Sequence, residues 1–137
     1  MPLKNVIKQN WEILYYQHNE RRCDTEYYLE TTSLADYQML AAKIEQLAQN
    51  GCQGIPSAIF HEAGEDYILY QGQPNEIKCK MYGLRHGRHR LYAIVITNRK
   101  EIIFTHGTLK RTQATDKKDK ERFKTIVKRL KDEGELQ

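Results

Sequence analysis

The chain has 137 residues, 39% hydrophobic and 29% charged, with a formal net charge of +4. That length suits a single domain over residues 1–137 with a real core, and no internal repeat or low-complexity tract argues otherwise. Three widely spaced cysteines, Cys23, Cys52 and Cys79, form no CxxC or zinc-spaced Cys/His pair, so reduced thiols in a cytoplasm are expected rather than a disulfide frame or a metal site. The N-terminus lacks a long apolar run, which speaks against a signal peptide or a membrane span.

In chain order, Trp11–Gln17 is aromatic and β-branched and reads as a strand, followed by a polar loop over His18–Asp24. Thr25–Thr31 reads as a short helix or an irregular segment. Ser33 with Asp36 three positions on is an N-cap signature. Tyr37, Leu40, Ala41, Ile44, Leu47 and Ala48 then recur at helical spacing up to the Asn50-Gly51 stop. Short strands at Ala58–Phe60 and Tyr67–Tyr70 would flank a turn at Ala63–Asp66, with a stronger turn at Gly72–Asn75.

Strands at Glu76–Leu84, Arg90–Thr97 and Glu101–His106, joined by Arg85–His89 and by Asn98-Arg99-Lys100, predict an antiparallel meander with one buried and one open face. A helix beginning near Thr115-Asp116 carries Phe123, Ile126, Val127 and Leu130 on one narrow face and lysines around the rest.

The charge is unevenly placed. Residues 1–77 hold 5 Lys/Arg against 11 Asp/Glu, whereas residues 78–131 hold 17 against 4. Such a field attracts phosphates, and nucleic acid is the first partner it suggests; a solvated lysine-rich face is the plain alternative. Within the basic block, Arg85, His86, Arg88, His89, Arg90, Lys110 and Arg111 sit at positions that a meander can bring around one phosphate. Guanidinium groups grip phosphate in a bidentate fork, and imidazole exchanges protons near neutral pH. These parts suffice for metal-free cleavage of RNA by its own 2′-hydroxyl. Tyr82 and Tyr92 are candidates for base stacking and equally for packing. His106, inside an apolar run, reads as a core histidine. No GxSxG, HExxH or P-loop pattern is present, and no paired-carboxylate metal site is evident.

Tyr82-Gly83-Leu84-Arg85, His89-Arg90-Leu91-Tyr92 and His106–Gln113, in this order, resemble the signature of RelE/HigB-type toxins of toxin–antitoxin modules, closest to the HigB-like, phage-associated branch. The resemblance implies an α+β, RelE-like fold: an N-terminal strand and helices, a three-stranded antiparallel meander, and a basic C-terminal helix. It also implies a type II toxin that cleaves mRNA, often on the ribosome, without metal or cofactor, and that a cognate antitoxin protein neutralises. Carried over by position, Arg90 would contact the scissile phosphate, Arg111 would stabilise the transition state, Lys110 would bind beside it, and Arg85 matches the basic position ending the preceding strand. Lys117 and Lys118, at the start of the basic helix, join Arg88, Tyr82, Tyr92 and Lys110 as expected RNA contacts. The chain departs from the family at Gly83, at Thr108 and at Asp116, and residues 116–137 contain no Tyr or His to serve as a C-terminal base. The general base is thus unassigned between His86, His89 and none. The departures leave open a ParE-like toxin that inhibits gyrase without nuclease activity, or an inactive member that only binds nucleic acid or protein.

Overall fold

The computed structural model describes residues 2–68, 78–111 and 117–136. Their elements are β1 (Leu3–Lys8), β2 (Glu12–Tyr16), α1 (Asp24–Thr31), α2 (Leu34–Asn50), β3 (Phe60–Ile68), β4 (Lys78–His86), β5 (His89–Ile96), β6 (Glu101–Leu109) and α3 (Lys117–Asp132), with 3₁₀ turns at Cys52–Gly54 and Thr97–Arg99. Among these residues one sheet forms, six-stranded, in the order β1-β2-β6-β5-β4-β3. The β2–β6 pair is parallel and every other pair is antiparallel.

The class is α+β, but a RelE-like sheet resting on a three-stranded meander is overturned by this larger, mixed sheet. Two edge strands account for much of the difference. β1 is largely exposed, so it carries no apolar alternation to announce it; its backbone pairing with β2 holds it in place. In β3, the segment Ala63–Asp66 expected to turn is absorbed as a bulge, the register shifting between Glu62 and Asp66 within one continuous strand. The Arg85–His89 connector is also shorter than expected. β4 and β5 run through it to the paired His86 and His89, leaving a two-residue turn at Gly87-Arg88 in which Gly87 has φ +58°. The turn expected at Gly72–Asn75 and the helix cap at Thr115-Asp116 lie outside the described residues.

Local chemistry explains the helices. Ser33 Oγ accepts the Asp36 N–H at 3.2 Å and starts α2. Gly51, at φ +68°, ends it by donating its N–H to Leu47 O at 2.7 Å. Both faces of the central strands are buried, so alternate side chains feed separate cores. Ile13, Leu84, Leu91, Ala93, Ile102 and Phe104 meet Leu40, Ile44 and Leu47 of α2 and Leu29 of α1. Leu14, Met81, Tyr92, Ile94 and Ile103 meet Phe123, Ile126, Val127 and Leu130 of α3. The expected open face is therefore covered by α3 over the middle of the sheet. No helix among the described residues is long and apolar enough to cross a membrane.

One irregularity shapes the end of the sheet that matters most. Tyr92 pairs with His106 while Ala93 pairs with Phe104, so Thr105 is an extra residue in β6. Beyond it, Gly107 lets α1 lie close on the sheet: a Cβ there would stand 2.6 Å from the Tyr28 ring and 2.8 Å from Leu91 Cδ2.

Candidate functional site

The turn end of β4 and β5 presents two different chemistries, one on each face. Leu84 and Leu91 point into the core under α1 and α2, so their neighbours Arg85 and Arg90 emerge on the opposite face. Arg85 and Arg90 are directly paired across the ladder, as are Gly83 and Tyr92. The next strand sets His61 opposite Gly83. After β6, the Lys110 N–H donates to Arg88 O at 2.7 Å, which brings that lysine to the same end. His61, Gly83, Arg85, Arg90, Tyr92 and Lys110 together line a cleft of about 180 Å³. Gly83 keeps the floor low, since a Cβ there would lie 3.3 Å from Ala63 Cβ and 3.6 Å from the Tyr92 ring.

Among the described residues that line it, the cleft is mainly cationic. Glu62 is the carboxylate at its rim, and its Oε1 already accepts from Lys80 Nζ at 3.2 Å. Burial, and then the nearby Arg85 charge, lowers the pKa of Arg90. Burial, then Arg90 and Arg85, does the same to Lys110. Burial followed by Arg85, Arg90 and Lys110 holds His61 below its ordinary value, so its imidazole is neutral at neutral pH. The Nε atoms of Arg85 and Arg90 and the Nδ1 of His61 are buried without a hydrogen-bond partner among the described residues. Buried polar groups are normally paired, so two unpaired guanidinium donors and an uncommitted imidazole nitrogen on residues lining one opening mark it as a candidate anion site. Arg90 is partly anchored, its Nη1 donating to Gly87 O at 2.7 Å and to His89 O at 2.9 Å.

His86 and His89 lie on the other face, away from the arginines. His89 Nε2 donates to Asp36 Oδ2 at 3.1 Å, and Tyr28 OH donates to His89 Nδ1 at 2.6 Å. His86 Nε2 donates to Asp36 Oδ1 at 3.0 Å, and Lys43 Nζ donates to His86 Nδ1 at 3.2 Å. All four ring nitrogens are engaged, which fixes both tautomers and leaves neither imidazole a free acceptor. These bonds hold the Asp36 carboxyl below the usual carboxylate range, the His89 bond contributing most. The pair thus pins the β4–β5 turn to the start of α2 and supports Arg85 and Arg90 from behind.

The remaining candidates are dispersed. Tyr92 lines the cleft, whereas Tyr82 stacks on Phe60 under the opposite face, ring centroids 5.3 Å apart. Arg88 is exposed at the turn and Arg111 is exposed after Lys110; neither lines the cleft. Lys117 and Lys118 are exposed in the first turn of α3. A larger groove of about 910 Å³ runs beside α1 and is lined by charges of both signs, several of them paired: Asp24 binds Arg22 and Arg122, and Glu26 binds Lys4. His61 joins the cleft without a signal in the sequence. Nothing around it marks it, because the strand that carries it to Gly83 is interrupted by a turn-like Ala-Gly-Glu-Asp run.

His106 behaves as a core group. It is 0% exposed, its Nε2 donates to Asp119 Oδ1 at 3.2 Å, and burial lowers its pKa below the ordinary 6.5 despite Asp119. The unfolded chain therefore takes this proton at a higher pH than the folded one. Stability is unaffected by it above pH 6.5 and falls as pH drops below that value, levelling off once the folded imidazole is protonated. His61 adds a loss of the same sign. Urea unfolding between about pH 7.5 and pH 5 should show a falling free energy, each such histidine adding a slope of at most ~1.4 kcal/mol per pH unit. A flat profile over that window would refute the assignment.

The chain matches no family model and no curated protein.

Proposed function

We propose that the cleft holds a phosphodiester of RNA and that the protein is an endoribonuclease toxin of a type II toxin–antitoxin module, cleaving mRNA through the adjacent 2′-hydroxyl. The observation that carries the catalytic part is the convergence of Arg85, Arg90 and Lys110 on one small opening. At about 180 Å³ the cleft is below the 300–1,000 Å³ range usual for whole small-molecule ligands, so it suits one phosphate-and-sugar unit of a polymer. A cluster of fixed cations is what a pentavalent phosphorane requires, and their charge takes the place of a metal or cofactor. The toxin reading rests on the order of motifs from Tyr82 onward, and with it come the expected surroundings: the cytoplasm, mRNA on the ribosome, and a neutralising antitoxin. The exposed lysines of α3, Lys117 and Lys118 first, supply a field that draws the RNA backbone toward the sheet.

Pulsed expression followed by primer extension on cellular mRNA tests this reading. New mRNA ends and growth arrest are expected from the wild type. Arg90→Ala should reduce the cleavage by ~10²-fold or more and relieve the arrest. Arrest with intact mRNA and a DNA-damage response would replace this reading with that of a gyrase inhibitor. Salt-sensitive RNA binding without toxicity would replace it with that of a binding protein.

A further inference from the structure

We propose that His61 and Lys110 are the proton-transfer pair of this cleft, His61 taking the proton of the attacking hydroxyl and Lys110 giving one to the leaving oxygen. The inference rests on the endoribonuclease reading above. Both side chains line the same opening as Arg85 and Arg90, His61 from the β3 edge and Lys110 from the end of β6. They reach the cleft from opposite sides of the arginine pair, since β3 lies outside β4, and β6 lies beyond β5. An in-line displacement needs that disposition, with the entering and leaving oxygens on opposite sides of phosphorus.

The two groups are also in the required protonation states. His61 is neutral at neutral pH for the reasons of burial and adjacent charge given above, while Lys110, though its pKa is lowered, remains a cation readier than usual to release a proton. The groups facing His61 are Arg85 of β4, Arg90 and Tyr92 of β5, and Lys110, with Glu62 beside it on its own strand and bound to Lys80. The alternative bases, His86 and His89, are on the other face with both nitrogens of each ring occupied.

The step balances. The 2′-oxygen forms a bond to phosphorus and its proton passes to the His61 imidazole. The P–O5′ bond breaks with its electron pair on the 5′-oxygen, which takes a proton from the Lys110 ammonium. The products are a 2′,3′-cyclic phosphate and a free 5′-hydroxyl. One positive charge appears at His61 as another leaves Lys110, so the net charge of the cleft around the phosphorane is unchanged. A proton accepted at His61 alone would add a fourth cation to the cluster; release at Lys110 removes that penalty.

Cleavage of mRNA, both free and in a programmed ribosome complex, is measured for wild type, His61→Gln and His61→Ala across pH. Binding of a 2′-O-methyl oligonucleotide, which cannot react, is measured in parallel. For the wild type, kcat/KM should rise with pH along a limb that lies below the ordinary histidine pKa of 6.5. His61→Gln should cut the rate by ~10²–10⁴-fold and remove that limb while binding the inert oligonucleotide within about twofold. Added imidazole should restore part of the activity of His61→Ala. If wild type and His61→Gln cleave equally with the same pH profile, the inference fails and the endoribonuclease reading survives. If the wild type cleaves neither substrate, both fall. A 3′-monophosphate formed directly, with no cyclic intermediate, would overturn the proton pathway even with cleavage intact.

Discussion

An Arg85→Met, Lys110→Met double variant is expected to lose RNA cleavage by on the order of 10³-fold and yet to melt at a higher temperature than the wild type. The two effects have one cause. Arg85, Arg90 and Lys110 bring like charges to one end of the sheet, where burial first, and the neighbouring cations second, lower the pKa values of Arg90 and Lys110. Without a bound anion this repulsion opposes folding; with a phosphodiester it becomes attraction. Methionine keeps much of each stem's apolar contact while removing the charge. Arg85 is the better choice than Arg90 because Arg90 also donates to the turn carbonyls of Gly87 and His89. Each kcal/mol of relieved repulsion should raise Tm by ~2–4 °C in a chain of this size. The wild type should also gain stability, increasing with ligand concentration, when inorganic phosphate or the inert oligonucleotide is added, and the variant should not. A variant that melts lower than the wild type and retains cleavage would show that the cluster is a solvated charged surface rather than a site.

Phe123→Ala should destabilise the fold by ~3–5 kcal/mol, a large part of the ~5–15 kcal/mol available to a domain. Phe123 is fully buried on the sheet face that also carries Tyr92 and Ile103, and it is the first apolar anchor of α3 after Lys117. Its loss should leave the C-terminal turns of α3 held by Ile126, Val127 and Leu130 while the first turn, with Lys117 and Lys118, loosens and takes Asp119 from His106. Hydrogen exchange along α3, with urea unfolding, measures this. Full protection of the first turns and a loss under about 1 kcal/mol would show that the helix is held chiefly by its ion pairs.

The legible parts of this chain were those whose signal is local. The Ser33 cap, the Leu40–Ala48 face and the Gly51 stop predict α2, and a helix with those features forms with Ser33 bonded to Asp36. The Phe123, Ile126, Val127 and Leu130 spacing likewise marks the buried face of α3. β1 carries no sequence signal because an exposed edge strand is held by backbone bonds that leave no side-chain pattern. β3 reads from sequence as two short strands because a bulge and a turn share the same residue types. In both cases the deciding interaction is backbone pairing with the next strand along the chain, which the residue types of the segment itself do not encode.

Composition and order alone place a basic block after a more acidic N-terminal part, and within it an arginine- and histidine-rich segment suited to phosphate. That much follows from residue type, which needs no fold. Which of those residues act together depends on strand alternation and register. The two-residue turn at Gly87-Arg88 pairs Arg85 with Arg90 on one face and sends His86 and His89 to the other, where Asp36 of α2 binds both. The pairing of His61 with Gly83 adds an imidazole that no neighbouring residue announces. A shift of one residue in either ladder would exchange the faces, because successive side chains of a strand point in opposite directions. Strand pairing and register, and not residue type alone, therefore select the members of this cleft.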